Sequence, residues 1–133
     1  MLKLEIVTPE KRVLDTEVDS VTVPTASGEA GILPSHAPLI SAVVPGILAY
    51  AIKGTTDRLA VSGGFVEVST DRVSVLVDTA ETAGEIDVDA ARITREAAEK
   101  TLASAGLASE DDAAATREVL DHAAARLQLA VGK

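Results

Sequence analysis

The sequence contains no cysteine, which removes disulfides, thiolate catalysis and Cys-ligated zinc. Histidine occurs only as His36 and His122, too few for a His-rich metal site. The aromatic residues are Tyr50 and Phe65 alone. Two rings do not make a platform on which nucleobases stack, and a sugar site would be equally poor in aromatic faces. Positive charge is scarce as well. Twelve Lys and Arg stand against 21 Asp and Glu, a net charge of −9 over 133 residues. A phosphate backbone or an anionic bilayer surface would be repelled, so neither nucleic acid nor lipid headgroups are expected as partners.

Long apolar helices are missing too. The start, Met1-Leu2-Lys3-Leu4-Glu5, lacks the apolar run of a signal peptide. Residues 30–52 carry no formal charge and are numerous enough to span a bilayer as a helix. Pro34, Pro38 and Pro45 interrupt them. Each interior proline removes a helical hydrogen bond and clashes with the preceding turn, so buried strands are expected there instead.

What is present divides near residue 84. All 5 prolines lie in the first 45 residues, and 13 of 16 valines precede residue 85. Fourteen of 23 alanines follow it, with no proline and only Gly106 and Gly132. Valine favours strands; alanine without proline favours helix. The first part alternates with period two: Leu2, Leu4 and Ile6 share a face, as do Val21 and Val23, and Val73, Val75 and Val77. Phe65 alternates with Glu67 on one side, and Val66 with Val68 on the other. Turn signals at Thr8-Pro9, Ser27-Gly28, Pro45-Gly46, Gly54, Gly63-Gly64 and Thr70-Asp71 separate these runs. The pattern predicts an antiparallel β-sandwich or barrel over residues 1–84.

Residues 85–133 have helical period. Asp87 is placed to cap a helix with Asp89 in its first turn. Ile86, Ala90, Ile93 and Ala97 form its apolar stripe, widened by Ala91, Ala98 and Leu102. Gly106 stops this helix, and Ser109 with Asp112 resembles a capping box for a second. Ala113, Leu120 and Leu127 then recur every seven residues, with Thr116, Ala123 and Ala130 between them. The short connection predicts an antiparallel hairpin with an Ala-rich seam that detaches easily. The expected class is therefore α+β, a sandwich followed by a two-helix hairpin.

No catalytic constellation stands out. There is no Gly-x-Ser-x-Gly, and His36 beside Ser35 sits between Pro34 and Pro38. Neighbours on an extended chain point to opposite sides, so His36 reads as a structural or interface residue rather than a general base. His122 reads as solvent-facing. Gly28-Glu29-Ala30-Gly31 lacks the Gly-Lys-Ser/Thr ending that cradles phosphates and reads as a turn. Glu110-Asp111-Asp112 suits a helix start better than a cation site. The residues alone thus point to an acidic interaction module without an active site.

Four ordered blocks carry a resemblance. They are Val7-Thr8-Pro9-Glu10; residues 28–39, GEAGILPSHAPL; residues 62–68, SGGFVEV; and residues 73–80, VSVLVDTA, followed by Ile86-Asp87. Together they resemble the epsilon subunit of F-type ATP synthase across essentially the whole chain. The resemblance implies a ten-stranded sandwich with a helical hairpin. It implies a non-catalytic rotor part that binds the gamma subunit and sits on the c-ring, at the cytoplasmic face of a bacterial membrane. By it, Glu29, Gly31, Pro34 and His36 would bind partners, with Glu29 at the c-ring and His36 near gamma. The hairpin would regulate ATP hydrolysis by leaving the sandwich and reaching the alpha/beta head. Nucleotide-binding relatives carry Ile-Asp-x-x-Arg-Ala at the hairpin start. Here Ile86, Asp87 and Ala91 match, while Ala90 and Ala97 stand where arginines are expected. ATP is therefore not expected as a ligand. A freestanding β-sandwich adaptor, and a small hydrolase using His36, are the competing readings.

Overall fold

A computed structural model describes residues 1–104 and 110–131. Ten strands come first: β1 (Leu2–Val7), β2 (Arg12–Val18), β3 (Ser20–Thr25), β4 (Gly28–Ile32), β5 (Leu39–Val43), β6 (Gly46–Ile52), β7 (Thr55–Val61), β8 (Gly64–Ser69), β9 (Arg72–Val77) and β10 (Ala80–Glu81). A 3₁₀ turn at Ala83–Glu85 leads to α1 (Val88–Ala103) and α2 (Glu110–Val131). The hydrogen-bonded order is β10-β7-β6-β3-β5-β8-β9-β1-β2, with β4 paired to β3 beside this path. The sheet folds on itself as a sandwich. Its core is aliphatic: Leu2, Leu4, Ile6, Val18, Val21, Val23, Leu48 and Val61 have no exposed surface.

Period-two alternation accounts for these strands. Val66 and Val68 face the core while Phe65 and Glu67 face out, as one face of a pleated strand requires. The uncharged residues 30–52 become the end of β4, a proline-bounded loop, and β5 and β6. Among the described residues no helix is long and apolar enough to cross a membrane. One pairing departs from the antiparallel expectation: β1 runs parallel to β9, with Leu4 opposite Val73 and Ile6 opposite Val75. A parallel pair needs a long crossover, and here nearly the whole sandwich supplies it. Side-chain alternation is the same for either direction, so the sequence pattern cannot register the difference.

The hairpin lies folded on the sandwich. Helix α2 touches α1 on one side and β6 and β7 on the other, leaving α1 outermost. Asp87 caps α1 as expected, its Oδ1 accepting from the Ala90 N–H at 3.0 Å. The buried stripe of α1 is rotated from the expected one. Ala91 and Ala98 are buried, whereas Ala90 and Ala97 are exposed and Ile93 is 68% exposed. The small residues two turns apart let the helices approach, and the bulky Ile93 is turned out (from apolar content alone it ranks first). In α2 the expected seam holds: Ala123 and Leu127 are buried, and Ala113, Thr116, Leu120 and Ala130 are half-buried. The expected stop at Gly106 and capping box at Ser109 lie outside the described residues.

Candidate docking surfaces and the nucleotide motif

The segment 28–36 leaves the main sheet path. Its strand β4 pairs only with β3, with Glu29 opposite Pro24 and Gly31 opposite Thr22. Glu29, Gly31 and Pro34 are exposed and His36 is half-buried. The far end is fixed by a long-range tether: the Ser35 N–H donates to Asp71 Oδ1 at 2.8 Å. Both residues hold positive φ, 67° and 54°, so two strained turns clasp each other. His36 is held by its own loop, its N–H on the Leu33 carbonyl at 3.1 Å and its Nδ1 2.6 Å from the Ala37 carbonyl. No hydrogen bond joins Ser35 Oγ to His36 among the described residues, so the pair has no nucleophile–base geometry. Glu29 lies elsewhere, sharing a shallow cleft with Asp121, Ala124 and Gln128 of α2. The structure therefore does not gather the four expected partner-binding residues into one site. It strings them along a stiff ribbon from the hairpin to the β8–β9 turn.

A second surface was only half visible in the sequence. Across β5, β8, β9 and β1 the register aligns Ala42, Phe65, Leu76 and Val7 in one row. Phe65 is 61% exposed, Leu76 53%, and Ile40, next to the row on β5, 73%. A cleft of about 470 Å³ opens beside it, lined by Val7, Pro9, Phe65 and Leu76. Exposed apolar residues are common singly; a row of them on one face of a sheet is a candidate docking surface. The outward Phe65 was the signal.

The hairpin's contact with the sandwich is polar as well as apolar. Arg126 donates to both carboxylate oxygens of Glu81, from Nε at 2.8 Å and from a terminal nitrogen at 3.2 Å. One turn earlier, His122 Nε2 lies 3.3 Å from Thr79 Oγ1. His122 is thus turned toward the sandwich, not solvent, because α2 has two contact faces. Burial holds its imidazole pKa below the ordinary value of 6.5, Arg126 adds to this, and Glu81 opposes it. At the 3₁₀ turn between β10 and α1, the Thr82 N–H donates to Glu85 Oε1 at 2.9 Å and holds that carboxyl below its ordinary range.

At the nucleotide motif, Ile86 and Ala91 are buried in packing and Asp87 is engaged as a cap. Arg92 pairs with Asp89 at 3.5 Å. Arg95 and Arg92 share a cleft of about 360 Å³ with Leu127 and Gln128 of α2. Arg126 is committed to Glu81, and Arg117 is exposed outside that cleft. Among the described residues no cluster of His, Cys, Asp or Glu could hold a metal ion.

Residues 1–83 match the family model described as the ATP synthase Delta/Epsilon chain beta-sandwich domain. The chain belongs to the ATP synthase epsilon family. The ATP synthase epsilon chain of Nitratidesulfovibrio vulgaris is 45% identical over 128 residues, spanning 96% of this chain and 94% of its own. That of Anaeromyxobacter dehalogenans is 46% identical over 129 residues, 97% of each. Among solved structures, a chain of the Euglena gracilis mitochondrial ATP synthase assembly of OSCP, F1 and c-ring superposes with a TM-score of 0.80 at 26% identity. The match covers 98% of this chain and 81% of that one. These epsilon relatives match beyond the sandwich, so the kinship includes the hairpin.

Proposed function

We propose that this chain is a non-catalytic rotor subunit of the central stalk, coupling c-ring rotation to the catalytic head of a proton-translocating ATP synthase. The observation that carries this reading is the exposed apolar row Ile40, Phe65 and Leu76 on an otherwise well-packed sheet. In this reading the occupant of that face is the gamma subunit, the partner that the family resemblance implies. The ribbon 28–36, with Glu29, Gly31, Pro34 and His36, is the reading's c-ring and gamma contact. A stiff loop loses little entropy on docking, and the Ser35–Asp71 tether adds to the stiffness that Pro34 and Pro38 give. The chain would lie at the cytoplasmic face of the membrane through these partners. The discriminating experiment introduces cysteine at position 29 and in the polar loop of the c subunit of the assembled complex. Ready cross-linking, with gamma co-eluting, is expected. A chain that elutes without gamma would instead be the freestanding adaptor.

The hairpin regulates ATP hydrolysis in this reading by leaving the sandwich and extending toward the alpha/beta head. Residues 110–133 hold 3 basic and 5 acidic residues, so its electrostatic grip on an acidic partner is weak. ATP does not hold it down. Arginine serves phosphate through a planar fork of donors. Charge-assisted hydrogen bonds contribute about 1.5–3 kcal/mol each, so alanine at positions 90 and 97 weakens binding by about 100-fold or more. Isothermal titration with MgATP is expected to show weak binding or none, and Ala90→Arg to improve it. A low-micromolar dissociation constant for the unaltered chain would overturn this.

A further inference from the structure

We propose that His122 and Arg126 form a proton-sensitive latch which holds the hairpin on the sandwich and loosens as pH falls. The inference rests on the reading that the hairpin can leave, but not on any effect on hydrolysis. The geometry is a match of two periods. His122 and Arg126 are four apart on α2, a rise of about 6 Å. Thr79 and Glu81 are two apart on the extended segment carrying β10, a rise of about 6.8 Å. Each helix side chain therefore meets its own partner: Nε2 of His122 at Thr79 Oγ1, 3.3 Å, and the Arg126 guanidinium across both Glu81 oxygens. The segment they grip is itself pinned, since the Thr79 N–H donates to Ser62 Oγ at 2.9 Å and Ala80 and Glu81 pair with β7. It is also the start of the hinge. Nothing comparable ties α1 to the sandwich among the described hydrogen bonds and ion pairs.

The Arg126 and Glu81 side chains are only 18% and 25% exposed, so the pair is screened less than a surface pair. His122 shares this half-buried space. Lining it with His122 are Glu10 and Lys11 from the β1–β2 turn, Asp78 just before β10, Glu81 in β10, Glu85 from the 3₁₀ turn, and Arg126. Glu118 and Asp121 stand on its own helix. Among the lining residues four acids outnumber two bases, and Glu118 and Asp121 add to the acidic side, which favours the imidazolium. Burial and the adjacent guanidinium oppose it and prevail, so docking lowers the affinity of the imidazole for a proton. Undocking returns it to water and to an ordinary pKa. The docked pKa is the lower one, so docking is at full strength above about pH 6.5 and weakens as pH falls through and below that value. A proton taken up on release must be given back on docking, and every pH unit between the two pKa values is a tenfold change in the docking constant.

The absence of Cys and Trp makes a direct test simple. Arg58 on β7 and Gln128 on α2 are exposed and line one cleft between sandwich and helix. In the full-length chain, bimane on Gln128→Cys is quenched by Arg58→Trp while the hairpin is docked. Quenching is expected to fall between pH 7.5 and 5.5, to be independent of pH over that range in His122→Gln, and to be reduced at every pH in Arg126→Ala. In a His36→Asn background the one remaining imidazole, followed by NMR, should titrate below the usual histidine range and return to it in Arg126→Ala. Release in Arg126→Ala with no pH dependence in the parent would overturn the proton sensing. Constant quenching in every variant at every pH would show that the hairpin does not leave, and would overturn both the latch and the reading beneath it.

Discussion

Replacing Gly64 by alanine is expected to destabilise the sandwich more than any other single methyl group added at a described glycine. A Cβ at this position would sit on the Leu76 carbonyl oxygen, with Val77 Cα at 2.8 Å and the Leu76 carbonyl carbon at 2.9 Å. All three are backbone atoms of β9, so no side chain can swing aside. Gly64 pairs with Val77 on one side and Val43 on the other, which places the clash inside the sheet rather than at its rim. Overpacking costs about 1–3 kcal/mol, and more where the backbone must move. That is a large share of the roughly 5–15 kcal/mol that keeps a domain folded. Urea denaturation of the full chain measures it, with Gly31→Ala as the control. Nothing lies within 4 Å of a Cβ at Gly31, so that change should stay within about 0.5 kcal/mol. Equal stability of the two variants would refute the close approach at Gly64.

The second large effect concerns the apolar row. The double change Phe65→Glu with Leu76→Glu is expected to lower the melting transition modestly, since the two carboxylates would stand opposite each other across β8 and β9, while leaving the chain folded and abolishing tight binding to gamma. Both side chains are more than half exposed, so little core packing is lost. At an interface, however, the pair would become two carboxylates buried without partners. A central apolar anchor contributes about 2 kcal/mol or more, so the pair should weaken binding by about 100-fold or more. A titration of purified gamma against both forms, with circular dichroism to confirm folding, reads this directly. Undiminished affinity would move the gamma contact away from β8 and β9, leaving the 28–36 ribbon to carry it alone.

Much of this was legible because it is periodic. Leu2, Leu4 and Ile6, or Val73, Val75 and Val77, alternate so regularly that inward and outward faces could be assigned residue by residue. The Asp87 cap was legible because a carboxylate before a helix has one obvious partner. Periodicity fails where a helix serves two neighbours. In α2, His122 and Arg126 lie off the seam to α1, and only the presence of the sandwich gives them a role. Glu81 is 45 residues from Arg126, and no local pattern links them. It fails again where size decides against hydropathy: Ile93 outranks Ala91 as an apolar residue, yet close helix approach selects the alanine. The ordered motif blocks marked the 28–36 ribbon, but not that Ser35 is tied to Asp71 while Glu29 stands beside α2.

The parallel β1–β9 pair sets a schedule for synthesis. Leu4 must wait for Val73, made 69 residues later, before its strand has neighbours on both sides. At about 5–20 residues per second, a ribosome takes roughly 3–14 s to supply them. Through that interval β1 can pair with β2 but presents its other edge bare, a template for any nascent chain on a neighbouring ribosome. Lys3 and Glu5 alternate along that strand between Leu2, Leu4 and Ile6. In the finished protein they sit in ion pairs with Asp15 and with Arg12 and Arg72. Before Arg72 exists, their charges guard an edge that the fold has not yet closed.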